Sequence, residues 1–211
     1  MEITDWGLID YHEAWRLQRE LVETIVHSGG LDTLVLCEHP PVITLGRTTQ
    51  KGSVLADRGS LHARHIDVVE IDRGGEATVH SPGQLVGYPI FNLNRHNPDL
   101  HWFLRTVEQC VIDALAHYGV SGGRVDGLTG VWVGNTRKIC AIGLHCSRWV
   151  TSHGFALNVN NDLAMFDMIV PCGIQDRGVT SLVLETGSQI DLADVKEQVV
   201  SAFRNHFQKN T

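Results

Sequence analysis

The chain has 211 residues, 43% of them hydrophobic and 19% charged, which is enough to bury a sizeable core in one large domain or two small lobes. A formal net charge of −7 argues against a general nucleic-acid binder, and no apolar run approaches the ~18 residues of a membrane span. The N-terminus, Met1-Glu2-Ile3-Thr4-Asp5, lacks a basic stretch followed by an apolar one, and the five cysteines form no C-x-x-C pair, so a reducing cytoplasm is expected.

The first helix is expected from Asp10, a capping residue, to about His27, with Ala14, Trp15, Leu21, Val22, Ile25 and Val26 as its apolar stripe and Gly29-Gly30 as its stop. Two strands, Thr33 to Glu38 and Val42 to Leu45, flank Pro40-Pro41, and a third runs from Asp67 to Asp72. Turn formers dominate Arg73 to Gln84, where the Arg73-Gly74-Gly75 and His80-Ser81-Pro82-Gly83 turns bracket a short strand; Leu85 to Ile90 is a strand again. The next helix is expected to start with Asn97 as cap and Pro98 in the first turn and to close at Gly119, burying Phe103, Val107, Val111, Ala114, Leu115 and Tyr118. Short strands follow at Val131 to Val133 and Lys138 to Leu144, joined by an Asn135-Thr136 turn, then one at Phe155 to Val159 and a helical turn near Phe166. A last helix starts at Asp191 and runs to about Phe207. The irregular alternation, with several hairpins and no linker, predicts a single α+β (mixed α/β) domain over residues 1–211.

Two features suggest chemistry. Pro171-Cys172-Gly173 sets a thiol between a residue that fixes the backbone and one that frees it. Lys138 is one of only four lysines, and it alone lies in an apolar strand, Lys138-Ile139-Cys140-Ala141-Ile142-Gly143. A thiol and an amine of this kind suit nucleophilic catalysis. Free thiol and amine pKa values of about 8.5 and 10.4 favour the thiolate–ammonium pair in water, but burial penalises both charges, so the ionisation state stays open. Cys172 also reads as core filler, and Cys140, on the strand face expected for Lys138, is a rival nucleophile. Cys37, Cys110 and Cys146 fall in apolar contexts and are expected to be inert. The histidines are dispersed, and His145, Cys146 and His153 lack ligand spacing, so neither metal nor cofactor is expected.

These segments together resemble the lipoyl(octanoyl) transferase family. The resemblance is carried by Arg73-Gly74-Gly75, His80-x-Pro82-Gly83-Gln84 and Gly87-Tyr88-Pro89; by Gly130-Val131-Trp132-Val133 and Lys138-Ile139-x-Ala141-Ile142-Gly143; and by His153-Gly154-Phe155-Ala156-Leu157-Asn158-Val159 running on through Pro171-Cys172-Gly173-Ile174. It implies a biotin/lipoate ligase-like mixed sheet with packed helices and a smaller subdomain. It implies transfer of an octanoyl group from octanoyl-acyl carrier protein to a lysine on the lipoyl domains of 2-oxoacid dehydrogenases or the glycine-cleavage H protein. Cys172 would carry the acyl thioester and Lys138 would move the protons. The acyl group would be lined by Arg73, Gly74, Gly75, Glu76, Ala77, Thr78, Val79 and His80, by Ala141, Ile142 and Gly143, and by Gly154, Phe155 and Ala156. Ser81 replaces a usual glycine and would be strained if that position needs a positive φ; Cys140 replaces a usual alanine. An ATP-consuming lipoate–protein ligase and a non-catalytic binder of acylated carrier domains are the rival readings; the chain shows no P-loop pattern to favour the first.

Overall fold

The computed structural model describes residues 1–170 and 177–208. Cys172 and its neighbours Pro171 and Gly173 lie outside the described residues. The chain opens with β1 (Glu2–Leu8), a strand without apolar alternation that forms by pairing in parallel with β2 (Thr33–Glu38). Between them runs α1 (Tyr11–Ser28). The Asp10 carboxylate accepts from the N–H groups of His12 and Glu13, and Gly29 closes the helix at φ 67°, where a side chain would be strained.

The small sheet comes next. It consists of β3 (Val42–Leu45), β4 (Asp67–Glu70) and β5 (Ala77–His80), in the order β4-β3-β5, with the short helix α2 (Arg58–Ala63) between β3 and β4. Ile43, Leu61, Val79, Phe166 and Met168 form its core. The strand expected over Asp67 to Asp72 stops at Glu70, which frees Asp72 and Arg73 to turn.

The chain then returns to the large sheet with β6 (Gln84–Ile90). The following helix, α3 (Leu100–Ala116), is capped by Asp99 and not by Asn97: the Asp99 carboxylate reaches the N–H groups of His101 and Trp102, and Pro98 lies before the cap. Gly119 ends it at φ 71°, with the Val120 N–H bonded to the Leu115 carbonyl. A meander follows: β7 (Gly122–Val125), β8 (Leu128–Val133), β9 (Arg137–Ser147) and β10 (Val150–Asn158). The β8–β9 turn places Gly134 and Asn135 in the left-handed region, one residue earlier than the pattern predicts. The β9–β10 turn does the same with Arg148 and Trp149, which carry no glycine signal. After β11 (Gly178–Val179) come α4 (Leu182–Thr186) and α5 (Leu192–Phe207), the latter capped by Asp191.

The large sheet is ordered β1-β2-β6-β10-β9-β8-β7, with β11 parallel to β9. The architecture is thus α+β: a mixed sheet with helices packed on it, beside a smaller sheet. On one face, α3 and α5 bury Phe103, Val107, Phe203 and Phe207 against Leu85, Phe155 and Leu157. On the other, α1 covers Val35, Val86, Tyr88 and Ala156. Among the described residues no helix is long and apolar enough to cross a membrane.

Candidate active site

The expected site segments converge on a cavity of about 330 Å³ where the small sheet meets β6, β9 and β10. On the side of β9 and β10 its wall includes residues almost without side chains. Gly154 pairs with Gly143 and Ala156 with Ala141, so adjacent strands present bare backbone to the same space. The backbones approach closely: a Cβ at Gly154 would stand 1.9 Å from the Gly87 carbonyl oxygen, and one at Gly143 would stand 2.6 Å from that of Gly74.

The Arg73-Gly74-Gly75 turn roofs this wall. The Gly74 N–H donates to the Leu144 carbonyl at 2.9 Å, lying along β9 where β8 has already diverged. The buried Arg73 guanidinium donates to the Thr44 carbonyl at 2.8 Å, to Thr44 Oγ1 at 3.0 Å and to the Gly74 carbonyl at 3.0 Å. It therefore ties the turn to β3. Glu76, Ala77, Thr78 and His80 line the cavity with Arg73, Gly74 and Gly75; from β9 and β10 so do Ala141, Ile142, Gly143, Gly154, Phe155 and Ala156. Val79 is the exception, because it packs into the core of the small sheet beside Ile43.

Lys138 also lines the cavity, and a β-bulge accounts for its placement. Val131 pairs with Cys140 but Trp132 pairs with Lys138, so β9 carries one extra residue, Ile139, at this point. A bulge shifts the alternation of side chains along a strand. Lys138 and Cys140 consequently do not share a face. Cys140 has no exposed surface, belongs to the main core and bonds through Sγ to the Ala141 carbonyl at 3.5 Å. Burial pushes its thiol pKa upward, which suits an inert side chain. Cys37, Cys110 and Cys146 are raised by burial too. Beside the bulge, Gly130 (φ 113°) donates its N–H to Glu108 Oε1 at 3.0 Å, and Arg105 and Arg124 pair with that buried carboxylate at 2.8 and 2.9 Å. A Cβ at Gly130 would stand 2.5 Å from the Cys140 carbonyl oxygen.

The described chain leaves the site at Val170, whose N–H donates to the Ser53 carbonyl at 2.8 Å, and resumes at Arg177. β11 then runs beside the bulge, pairing Val179 with Lys138, and the Thr180 N–H donates to the Lys138 carbonyl at 2.9 Å.

A set of buried rings closes one side of the cavity. Tyr11, from the first turn of α1, stacks on His80 with centroids 5.7 Å apart. His80 Nδ1 bonds Gln84 Oε1 at 2.8 Å, while Gln84 Nε2 donates to Asn158, so the ring nitrogen is the donor and Nε2 remains an acceptor. Burial holds the His80 pKa down to about 3 and that of His39 to about 4. His39 is thus neutral, donating from Nδ1 to the Ile9 carbonyl at 2.8 Å and accepting at Nε2 from the Tyr88 hydroxyl at 2.6 Å. His153 lies in the left-handed region at φ 56°, and its Nε2–H donates to Asp72 Oδ1 at 2.8 Å. That bond draws the Asp72 carboxyl down to about 2, whereas burial lowers His153 and leaves its Nδ1 an acceptor without a partner among the described residues. Ser81 is buried but not at positive φ; Gly83 takes that role at 85°, so no strain falls on the serine.

Tyr11, Tyr88 and His153 line the cavity without having been expected in the site, and neither was His39, which lies behind them against Tyr88 and His80. A histidine directly before Pro40, just past the end of an apolar strand, and a tyrosine in the first turn of an amphipathic helix were the available signals. Among the described residues no cluster of three metal-ligating side chains is present.

Comparison with known proteins gives a consistent result. The family described as the lipoyl protein ligase A/B catalytic domain matches residues 10–204. A protein named octanoyltransferase from Rubrobacter xylanophilus is 54% identical over 200 residues, 94% of this chain and 89% of that one. Another, from Chloroflexus aggregans, is 50% identical over 198 residues, covering 93% and 90% of the two chains. In fold, the chain is similar to a bipartite lipoate protein ligase from Thermoplasma acidophilum (TM-score 0.74, 13% identity, 99% and 84% of the two chains). It is also similar to a lipoate–protein ligase A bound with ATP (TM-score 0.70, 16% identity, 98% and 85%). A biotin protein ligase from Aquifex aeolicus aligns more distantly, with TM-score 0.56 at 16% identity over 99% and 69% of the chains.

Proposed function

Because the chain belongs to the lipoyl protein ligase A/B catalytic-domain family, we propose that it is an acyltransferase that moves an octanoyl group from octanoyl-acyl carrier protein to a lysine of a lipoyl domain, the first step in making protein-bound lipoate. The acceptors in this reading are the lipoyl domains of 2-oxoacid dehydrogenases and the glycine-cleavage H protein. The whole chain acts as one catalytic domain, in the cytoplasm, whose reducing chemistry keeps a catalytic thiol free. The observation that carries the reading is Lys138: an amine turned by a bulge onto a cavity walled in part by glycine and alanine, with the neighbouring Cys140 in the core.

The reaction takes two exchanges. With the Cys172 proton held on Lys138, Cys172 Sγ attacks the carrier thioester as a thiolate; the new S–C bond forms as the carrier S–C bond breaks, and the carrier thiolate takes that proton from Lys138. The acceptor lysine, as a neutral amine, then attacks the acyl-enzyme. An N–C bond forms, the Cys172 S–C bond breaks, and Lys138 receives the proton the nitrogen sheds. The cavity holds the acyl chain and excludes the water that would otherwise hydrolyse the thioester. Neutral His80 adds no charge to this space.

The test is intact-protein mass spectrometry after mixing with octanoyl-acyl carrier protein. The wild-type chain is expected to gain one octanoyl group, Cys172→Ala none, and a lipoyl domain should discharge the adduct. A folded chain that stays unmodified yet makes octanoyl-lipoyl domain from ATP and free octanoate is a ligase, and the transfer reading fails.

A further inference from the structure

Lys138 lines the cavity, and among the described residues no carboxylate pairs with it. Among the described residues, the contact that holds its ammonium is the face of one ring: Nζ lies 4.7 Å from the centroid of Trp132, the residue paired with it across β8 and β9. A second cation uses the same ring, with Arg177 Cζ 5.5 Å from its centroid. Arg177 is the first described residue after the segment that carries Cys172, and its Nη1 donates to the Asn135 carbonyl. The indole is 2% exposed, yet its Nε1–H has no acceptor among the described residues. A buried donor left unpaired is costly, and phenylalanine would fill a core position without that cost. What tryptophan offers in exchange is the strongest π face for a cation.

We propose that Trp132 is a positioning residue, whose indole face fixes the Lys138 amine at the cavity while leaving all of its protons and its lone pair free to react. The proposal rests on the reading that Lys138 moves the protons of transfer. A carboxylate in the place of the ring would accept a hydrogen bond from the amine and hold it in the ammonium form. A π face attracts the ammonium through its quadrupole but takes no proton and offers no oxygen. Arg177 completes the arrangement, since its charge is permanent. It keeps a cation on the indole when Lys138 becomes neutral, so the ring holds its orientation through both halves of the cycle.

The experiment compares Trp132→Phe with Trp132→Met, both checked for folding by circular dichroism and urea midpoint, in single-turnover and steady-state transfer from octanoyl-acyl carrier protein to a lipoyl domain. Trp132→Met fills the space without a π face and is expected to lower kcat at least tenfold, with KM for the donor within twofold of wild type. Trp132→Phe restores a face and should recover to within about threefold of the wild-type kcat. Arg177→Met, at a partly exposed position, removes the second cation without opening a core cavity and is expected to lower kcat threefold or more. Equal rates in the Phe and Met variants, or an unchanged rate in Arg177→Met if Trp132→Met does not fold, overturn the proposal. A wild-type chain that transfers nothing overturns the transfer reading and this proposal with it; a transferring wild type beside an equally fast Trp132→Met overturns this proposal alone.

Discussion

At the scale of single residues, Lys138 and Cys140 lie two positions apart and have opposite fates. The extra residue at Ile139 places the amine on the cavity and the thiol in the core. If Lys138 carries the protons, Lys138→Ala should abolish octanoyl transfer, with the rate falling by at least a hundredfold, as removal of a positioned acid–base group does. Cys140→Ala loses a small buried side chain, costs about 1 kcal/mol of stability and should keep most of the activity. Parallel transfer assays decide it: near-wild-type turnover in Lys138→Ala, or loss of turnover in a folded Cys140→Ala, sinks the assignment of the two roles. The bulge itself was not legible, because a strict two-residue alternation through Lys138-Ile139-Cys140 sets lysine and cysteine on one face. Only the shift in register between β8 and β9 shows where the alternation breaks.

At the scale of elements, the wall depends on how closely β6, β9, β10 and the Arg73 turn approach one another. Gly154→Ala puts a methyl group 1.9 Å from the Gly87 oxygen and 2.7 Å from Pro89 Cδ, against backbone that cannot rotate away. It should destabilise the chain by about 3 kcal/mol. Gly123→Ala on β7, where a Cβ would meet nothing within 4 Å, is the control and should be neutral or stabilising by up to about 1 kcal/mol. Urea unfolding of the two variants separates them; equal midpoints would mean that the strands give way easily. The long helices were legible because each has a capping aspartate or a closing glycine and an apolar face, although the cap of α3 fell on Asp99, two residues beyond Asn97. β1 and β7 were not legible, since an edge strand need not alternate and Gly122-Gly123 reads as a loop. The full lengths of β9 and β10 were hidden by their turn, where Arg148 and Trp149 adopt a conformation that neither residue advertises. Motif segments brought most of the wall into view, but Tyr11, His39 and Tyr88 meet only because the sheet order sets β2 beside β6 beneath α1.

At the scale of the whole molecule, folding buries several imidazoles in neutral form around one cavity, and that makes stability depend on pH. Above the ordinary histidine pKa of about 6.5 the rings are neutral in both folded and unfolded chains. Below it the unfolded chain gains protons that the folded chain refuses until about pH 4 at His39 and about pH 3 at His80. In that window each ring removes up to about 1.4 kcal/mol of stability per pH unit. Urea midpoints should fall from pH 7.5 to pH 5, and less steeply in a folded His39→Gln variant; a flat profile in the wild type would contradict neutral burial. Asp72 acts at lower pH, its contribution being present above about 4 and lost as the pH falls toward 2. The glycine wall has a consequence of another kind, for how the cavity can change by mutation. Gly74, Gly75, Gly143 and Gly154 have nothing left to trim, so every substitution along that wall subtracts space and none can add it. A longer cargo could be admitted only by shortening the bulkier side chains that share the cavity, such as Tyr88, Phe155 or Leu104.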